Sequence, residues 1–227
     1  MNRTAVAEER GCLLCVSDQA ALFYQDKNRD YWRCKRCSLV FVPPEFHLSL
    51  AAEKARYDQH ENDADDAGYR GFLKRIVSPV SERVAKGASG LDFGCGPTPL
   101  LADLLRQDGF PMQVYDPNYA ANEDVLKSGY NFIVSTEVLE HLRRPMAVLR
   151  QLFALLEEGG ILAVMTRPHE RSIDFASWHY KNDRTHIAFY SVETFDWLSE
   201  QLSVSYERVD NDIFIFNTGG ILRQATV

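Results

Sequence analysis

The stretch that most constrains this 227-residue chain is Leu91-Asp92-Phe93-Gly94-Cys95-Gly96-Pro97-Thr98, where a short apolar run meets two glycines and a helix-starting pair. Gly90 to Phe93 reads as a buried strand. Thr98 suits an N-cap and Pro99 the first helical position, with Leu100, Leu101, Leu104 and Leu105 on one face of the helix that follows. Glycines at a strand-to-helix turn let backbone amides approach a ligand closely, and the positive end of the helix dipole favours an anionic group there. Asp116 stands 24 residues after Asp92, at the end of a second strand, Gln113 to Tyr115. A carboxylate in that place can accept both hydroxyl hydrogens of a ribose.

The pattern continues to the C-terminus. Tyr130 to Ser135 reads as a third strand, and Pro145 opens a helix whose Leu149, Leu152, Phe153 and Leu156 share a face until Gly159-Gly160 stops it. Ile161 to Thr166 is another buried strand and Thr194 to Leu202 a helix. Val204 to Val209 and Asp212 to Asn217 then form a terminal antiparallel hairpin. Short apolar runs alternating with helix-period segments predict an α/β fold with a mostly parallel sheet. No apolar run is long enough to span a bilayer, and residues 1–11 lack the apolar stretch of a signal peptide, so a cytoplasmic protein without a membrane partner is expected.

These segments resemble the class I, Rossmann-like S-adenosylmethionine-dependent methyltransferases. That family's first motif reads approximately Leu-Asp-x-Gly-Cys-Gly, and its ribose acid ends the second strand. Residues 130–142 look like its fourth-strand motif and residues 155–162 like its fifth-strand entry. The resemblance implies S-adenosylmethionine as cofactor, with Asp92, Gly94 and Gly96 lining its methionine part beside Cys95. It implies Asp116 on the ribose with Pro117 adjoining, and Thr136 with Glu137 on the wall near the reacting methyl group. Two departures stand out. Thr98 replaces a common third glycine, and only 13 residues separate Asp116 from Tyr130. An edge strand is therefore expected to be reduced or absent, leaving Asn118 and Tyr119 as the nearest adenine candidates.

Four of the five cysteines form Cys12-x-x-Cys15 and Cys34-x-x-Cys37, separated by 18 residues. That spacing suits two knuckles supplying four thiolates to one structural Zn²⁺, with no coordination position left for a reactive water. The strand-like runs Asp30 to Arg33 and Ser38 to Val42 lie within the same unit, and Pro43-Pro44 closes it. Three parts follow: a zinc-ribbon-like module over 1–44, a helical linker or lid over 45–89, and the cofactor-binding domain over 90–227. In the linker, Ala51 to Tyr57 and Tyr69 to Val77 are the helix candidates around an acidic stretch at Glu61 to Asp66. The ribbon either covers an edge of the domain and shapes its pocket or captures RNA. Arg33, Lys35 and Arg36 beside Tyr31 and Trp32 would serve the second role.

Methyl transfer needs a group that orients and often deprotonates the acceptor, and histidine is the first residue type to consider. His186, in the polar and aromatic segment after the fifth-strand entry, is the expected base, with His179, Tyr190 and Asp183 as partners and Tyr57 on the pocket wall. His186-x-x-Phe189-Tyr190-Ser191 also resembles a motif of zinc-bearing sugar methyltransferases. His141 reads as a helical partner of Glu137, and Glu140 with Arg144 as a solvated pair. Trp178 and Trp197 read as core or pocket wall. The net charge of −7 speaks against a surface that binds nucleic acid by phosphate attraction alone. The expected function is thus methyl transfer to a small molecule, the alternatives being an RNA methyltransferase and a degenerate binding protein. No motif encodes an oligomeric state.

Overall fold

The computed structural model describes residues 11–59 and 66–220; residues 1–10 and most of the acidic stretch, 61–65, lie outside the described residues. The N-terminal part runs β1 (Ala20–Gln25), β2 (Asp30–Cys34), β3 (Val40–Phe41), α1 (Leu50–Tyr57) and α2 (Ala67–Ser81). Next come β4 (Gly90–Phe93), α3 (Leu100–Gln107), β5 (Met112–Tyr115), β6 (Tyr130–Thr136), α4 (Pro145–Ala154) and β7 (Leu156–Met165). The chain finishes with β8 (Ala188–Phe189), α5 (Val192–Leu202), β9 (Ser205–Asp210) and β10 (Ile213–Asn217).

Six strands form one sheet in the order β5-β4-β6-β7-β10-β9. The first three pairings are parallel, and β10 pairs antiparallel with both β7 and β9. This is the expected α/β sheet with its terminal hairpin. β5 is an edge strand because a single 3₁₀ turn, Glu123–Lys127, fills the short segment before β6. Alternation along β6 sends Phe132 and Val134 to one face and Ile133 to the other. The first face packs on α2 and α3 through Leu73, Ile76, Leu101 and Leu105; the second packs on α4 and α5 through Leu149, Leu152, Phe195 and Leu198. Helices on both faces leave the carboxyl ends of the parallel strands as the open rim.

A second, antiparallel sheet runs β1-β2-β3-β8, so a strand more than 140 residues downstream completes the cysteine-bearing unit. Cys12, Cys37, Leu39 and Phe41 belong to the same buried cluster as Tyr190, Phe195 and Leu198. Residues 11–44 are thereby fastened to the rim that carries β8.

Two local expectations are corrected. Thr98 does not cap α3: the helix starts at Leu100, and its cap position is Pro99, which offers no side-chain hydrogen bond. Gly159-Gly160 does not stop α4, which ends at Ala154. Residues 156–160 are already strand, and the positive φ of Gly159 (76°) produces a bulge where the β6–β7 register shifts. Among the described residues no helix is long and apolar enough to cross a membrane.

Candidate active site

At the rim, the turns after β4, β5 and β6 meet α1 around a cavity of about 520 Å³, within the roughly 300–1,000 Å³ common for small-molecule pockets. Asp92, Gly94, Cys95, Gly96, Asp116 and Pro117 line one end, together with Thr136 and Glu137. Gly94 and Cys95 donate their amides to the Tyr115 carbonyl at 2.7 and 3.2 Å, which folds the glycine turn over β5. Gly94 holds φ at 82°, and a Cβ there would lie 2.3 Å from Val138. A Cβ on Gly96 would meet no protein atom within 4 Å, so the turn leaves room for a ligand against its backbone. Asp116 is 8% exposed; its carboxylate accepts from the amides of Gly96 (3.1 Å), Asn118 (2.8 Å) and Tyr119 (3.2 Å). Asn118 and Tyr119 line the same end. Burial pushes the Asp92 carboxyl up to about 7, against the hydrogen bond of the Ala102 amide at the start of α3.

The other end is assembled from farther apart. β6 stops at Thr136, Glu137 takes a left-handed conformation (φ 52°), and a 3₁₀ turn, Leu139–His141, follows. His141 is therefore not a helical partner of Glu137: the left-handed residue breaks any helix between them. Its Nδ1 donates to the Thr185 carbonyl at 3.1 Å, and its ring stands 4.8 Å from that of His186. Glu140 is not a solvated partner of Arg144 but is fully buried. It accepts from the Tyr180 hydroxyl at 2.6 Å and the Thr166 hydroxyl at 2.9 Å. Burial, then the charge of Glu140, pushes Glu137 up to about 9, and Tyr180 also reaches it at 3.3 Å.

His186 lines the cavity. Its Nδ1 donates to the Tyr180 carbonyl at 2.8 Å, and burial pulls the imidazole down to about 4. Asp183 holds the same loop through Thr185, whose hydroxyl donates to it at 2.7 Å. The guanidinium of Arg29, itself buried, donates to the carbonyls of Lys181, Asp183 (2.8 Å), Arg184 (3.3 Å) and His186 (2.9 Å). α1 covers the cavity with Glu53 and Tyr57; Arg143 pairs with Glu53 at 2.8 Å, and Asp58 accepts from Tyr119 at 2.6 Å.

Two catalytic candidates are not brought to the cavity. His179 is exposed, 3.1 Å from Arg167, because its 3₁₀ turn directs Tyr180 inward instead. Tyr190 is 1% exposed, stacked on Phe195 and bonded to the Leu139 carbonyl, so it packs the interior. Sequence reasoning undervalued Glu140 and His141 and passed over Thr166, Tyr180 and Arg29. The available signal was the run Glu137-x-x-Glu140-His141 at a strand end.

The four cysteines also converge. Their sulfurs lie within 4.8 Å of one another, with Cys12–Cys37 and Cys15–Cys34 at 3.5 Å, near the roughly 3.8 Å that tetrahedral thiolates at 2.3 Å from Zn²⁺ require. The donor set suits a closed, structural site. Of the residues expected to form a basic-aromatic face for RNA, Tyr31 is 1% exposed among Phe175 and Phe189, and Arg36 lies over Trp197.

A family model described as a methyltransferase domain matches residues 66–202, more than half of the chain. Among solved structures, an O-methyltransferase family protein from Burkholderia thailandensis is similar at 13% identity with a TM-score of 0.53, over 73% of this chain and 61% of that one. This likeness shows the fold, and the chain spans less than two thirds of that relative's length. A magnesium protoporphyrin IX methyltransferase from Synechocystis PCC 6803, with S-adenosylhomocysteine bound, aligns at 13% identity and a TM-score of 0.44, over 76% of this chain and 94% of that one. No curated protein matches the chain in sequence.

Proposed function

The chain belongs to the methyltransferase domain family, and on that premise we propose that it transfers a methyl group from S-adenosylmethionine to a small-molecule acceptor. One observation carries the reading: a single cavity joins the glycine turn and Asp116 at one end to the imidazoles of His141 and His186 at the other. Bound there, S-adenosylmethionine supplies a methyl carbon on a sulfonium sulfur, so that a bond to the acceptor forms, the carbon–sulfur bond breaks and its electron pair stays on sulfur.

The chain's own part is holding and orienting. Asp116 accepts the ribose hydroxyls, while Asp92, Gly94, Cys95, Gly96 and Pro117 line the methionine part. Asn118 and Tyr119 adjoin the adenine, and Thr136 with Glu137 wall the reacting centre. A carbonyl only accepts, so the Nδ1 of His186 carries the ring proton and Nε2 keeps its lone pair for the acceptor. His141 is disposed likewise. Residues 45–89 act as linker and lid, with α1 excluding water through Tyr57, whose ring lies 5.3 Å from that of His141. Residues 1–44 hold a structural Zn²⁺ through Cys12, Cys15, Cys34 and Cys37, and by pairing β3 with β8 they fix the loop that ends at His186.

The test is to incubate zinc-loaded protein with methyl-labelled cofactor and cell extract, then separate metabolites, RNA and protein. Label in the metabolite fraction is expected; label in RNA would overturn the acceptor class. Asp116→Ala should weaken cofactor binding about 10- to 100-fold by calorimetry, the worth of charged hydrogen bonds, and an unchanged affinity would sink the cofactor assignment.

A further inference from the structure

Glu140, His141 and His186 come together from two segments 45 residues apart and offer one ligand atom each, all within 4.8 Å of one another. Both histidines are prepared in the same way. Each donates Nδ1–H to a backbone carbonyl, His141 to Thr185 and His186 to Tyr180, which fixes the ring plane and leaves Nε2 with a free lone pair. This is the outer-shell arrangement that metal-ligating histidines use. Glu140 is fully buried, and its hydrogen bonds come from the neutral hydroxyls of Tyr180 and Thr166. Among the described residues the one basic group within ion-pair distance of its carboxylate is the His141 Nε2, at 3.9 Å, and with the proton on Nδ1 that nitrogen brings a lone pair rather than a charge. A buried carboxylate so placed is stabilised by a cation.

We propose that Glu140, His141 and His186 bind a divalent cation of the Mn²⁺, Co²⁺ or Zn²⁺ class, whose remaining coordination positions face the cavity and take an oxygen of the methyl acceptor. Two imidazole nitrogens and one carboxylate leave such positions open, unlike the four thiolates of the cysteine cluster. The role at the acceptor rests on the methyl-transfer reading, whereas the binding site itself does not. A coordinated hydroxyl loses its proton to solvent water more readily, because the cation stabilises the oxyanion that remains. His186 then acts on the acceptor through the cation, and the acceptor class narrows to hydroxyls and enols.

The experiment uses full-length protein carrying one equivalent of Zn²⁺ per chain, titrated with MnCl₂ while the electron paramagnetic resonance signal of free Mn²⁺ is followed. Mn²⁺ stands low in the divalent affinity series and leaves zinc on the thiolates. One bound Mn²⁺ per chain is expected, with affinity lowered roughly tenfold or more in Glu140→Gln and in His141→Gln. Thermal melts and calorimetry with S-adenosylmethionine should match the parent protein in both variants. Should Glu140→Gln melt early, His141→Gln, on a half-buried ring, carries the comparison. Mn²⁺ that stays free, or binds both variants as tightly as the parent, would overturn the site. Protein that binds Mn²⁺ but gives no heat with S-adenosylmethionine would overturn the methyl-transfer reading and leave the metal site standing.

Discussion

The glycine-turn end of the cavity draws its residues from three strand ends of one sheet, at 92–97, 115–119 and 136–137, whereas the histidine end collects α1, the 139–141 turn and the 180–186 loop. At the first end the fastenings are short backbone bonds, such as those from Gly94 and Cys95 to Tyr115. At the second they are side-chain and carbonyl contacts made by groups remote in the chain, Arg29 above all. The first end should therefore persist when the cysteine module is damaged, and the second should not.

The harshest way to break that contrast is to treat the protein with a zinc chelator, which would empty the proposed four-thiolate site, or to replace Cys34 by Ser. A structural four-thiolate site contributes folding free energy outright, so a loss of several kcal/mol is expected in a denaturant titration. Cofactor binding by calorimetry should survive while methyl transfer is lost, because β8 and the loop before it lose their support from β3. Simultaneous loss of both would show that the ends do not separate.

Arg29→Met sharpens the same contrast with a smaller cost. It leaves buried carbonyls on residues 181–186 without their donor, and about 3–5 kcal/mol of stability should go with them. Turnover should fall and cofactor affinity hold; a variant with unchanged urea midpoint would remove Arg29 from the account.

The smallest effect belongs to the glycine-turn end. Asp92 holds its proton up to about 7 in the folded chain against 3.8 for the ordinary carboxyl, so its contribution is full below about 3.8 and is lost as pH rises through about 7. Cofactor-free protein should lose about 2–3 kcal/mol of stability from pH 5 to pH 8 through this group, and Asp92→Asn should flatten that slope. Identical slopes in parent and variant would contradict the burial argument.

Much of the fold was legible because strands β4 to β7 and their helices carry strong periodicity, and the 13 residues after Asp116 correctly implied a missing edge strand. The helix expected through Leu156 failed because strand pairing with β6 overrode a helical spacing that continued past Ala154. Glu140 and Arg144 sit at helical spacing too, yet the left-handed Glu137 turns the chain so that Glu140 enters the interior. His179 and His186 were alike in composition; only the 3₁₀ turn at 179–182 decides that one faces solvent and the other the cavity.

What the amino-acid sequence determined by itself was the set of features that depend on neighbours in the chain. These are the strand, glycine turn and helix around Gly94 and Gly96, the acid at Asp116, and the two Cys-x-x-Cys knuckles, since dihedral freedom and short ligand spacings are local properties. Tertiary structure alone decided that β8 completes the cysteine-bearing sheet, that Arg29 ties the 181–186 loop, and that Glu140, His141 and His186 meet. Those contacts join segments 45 to 157 residues apart through hydrogen bonds to carbonyls and through burial, and neither leaves a periodic trace along the chain.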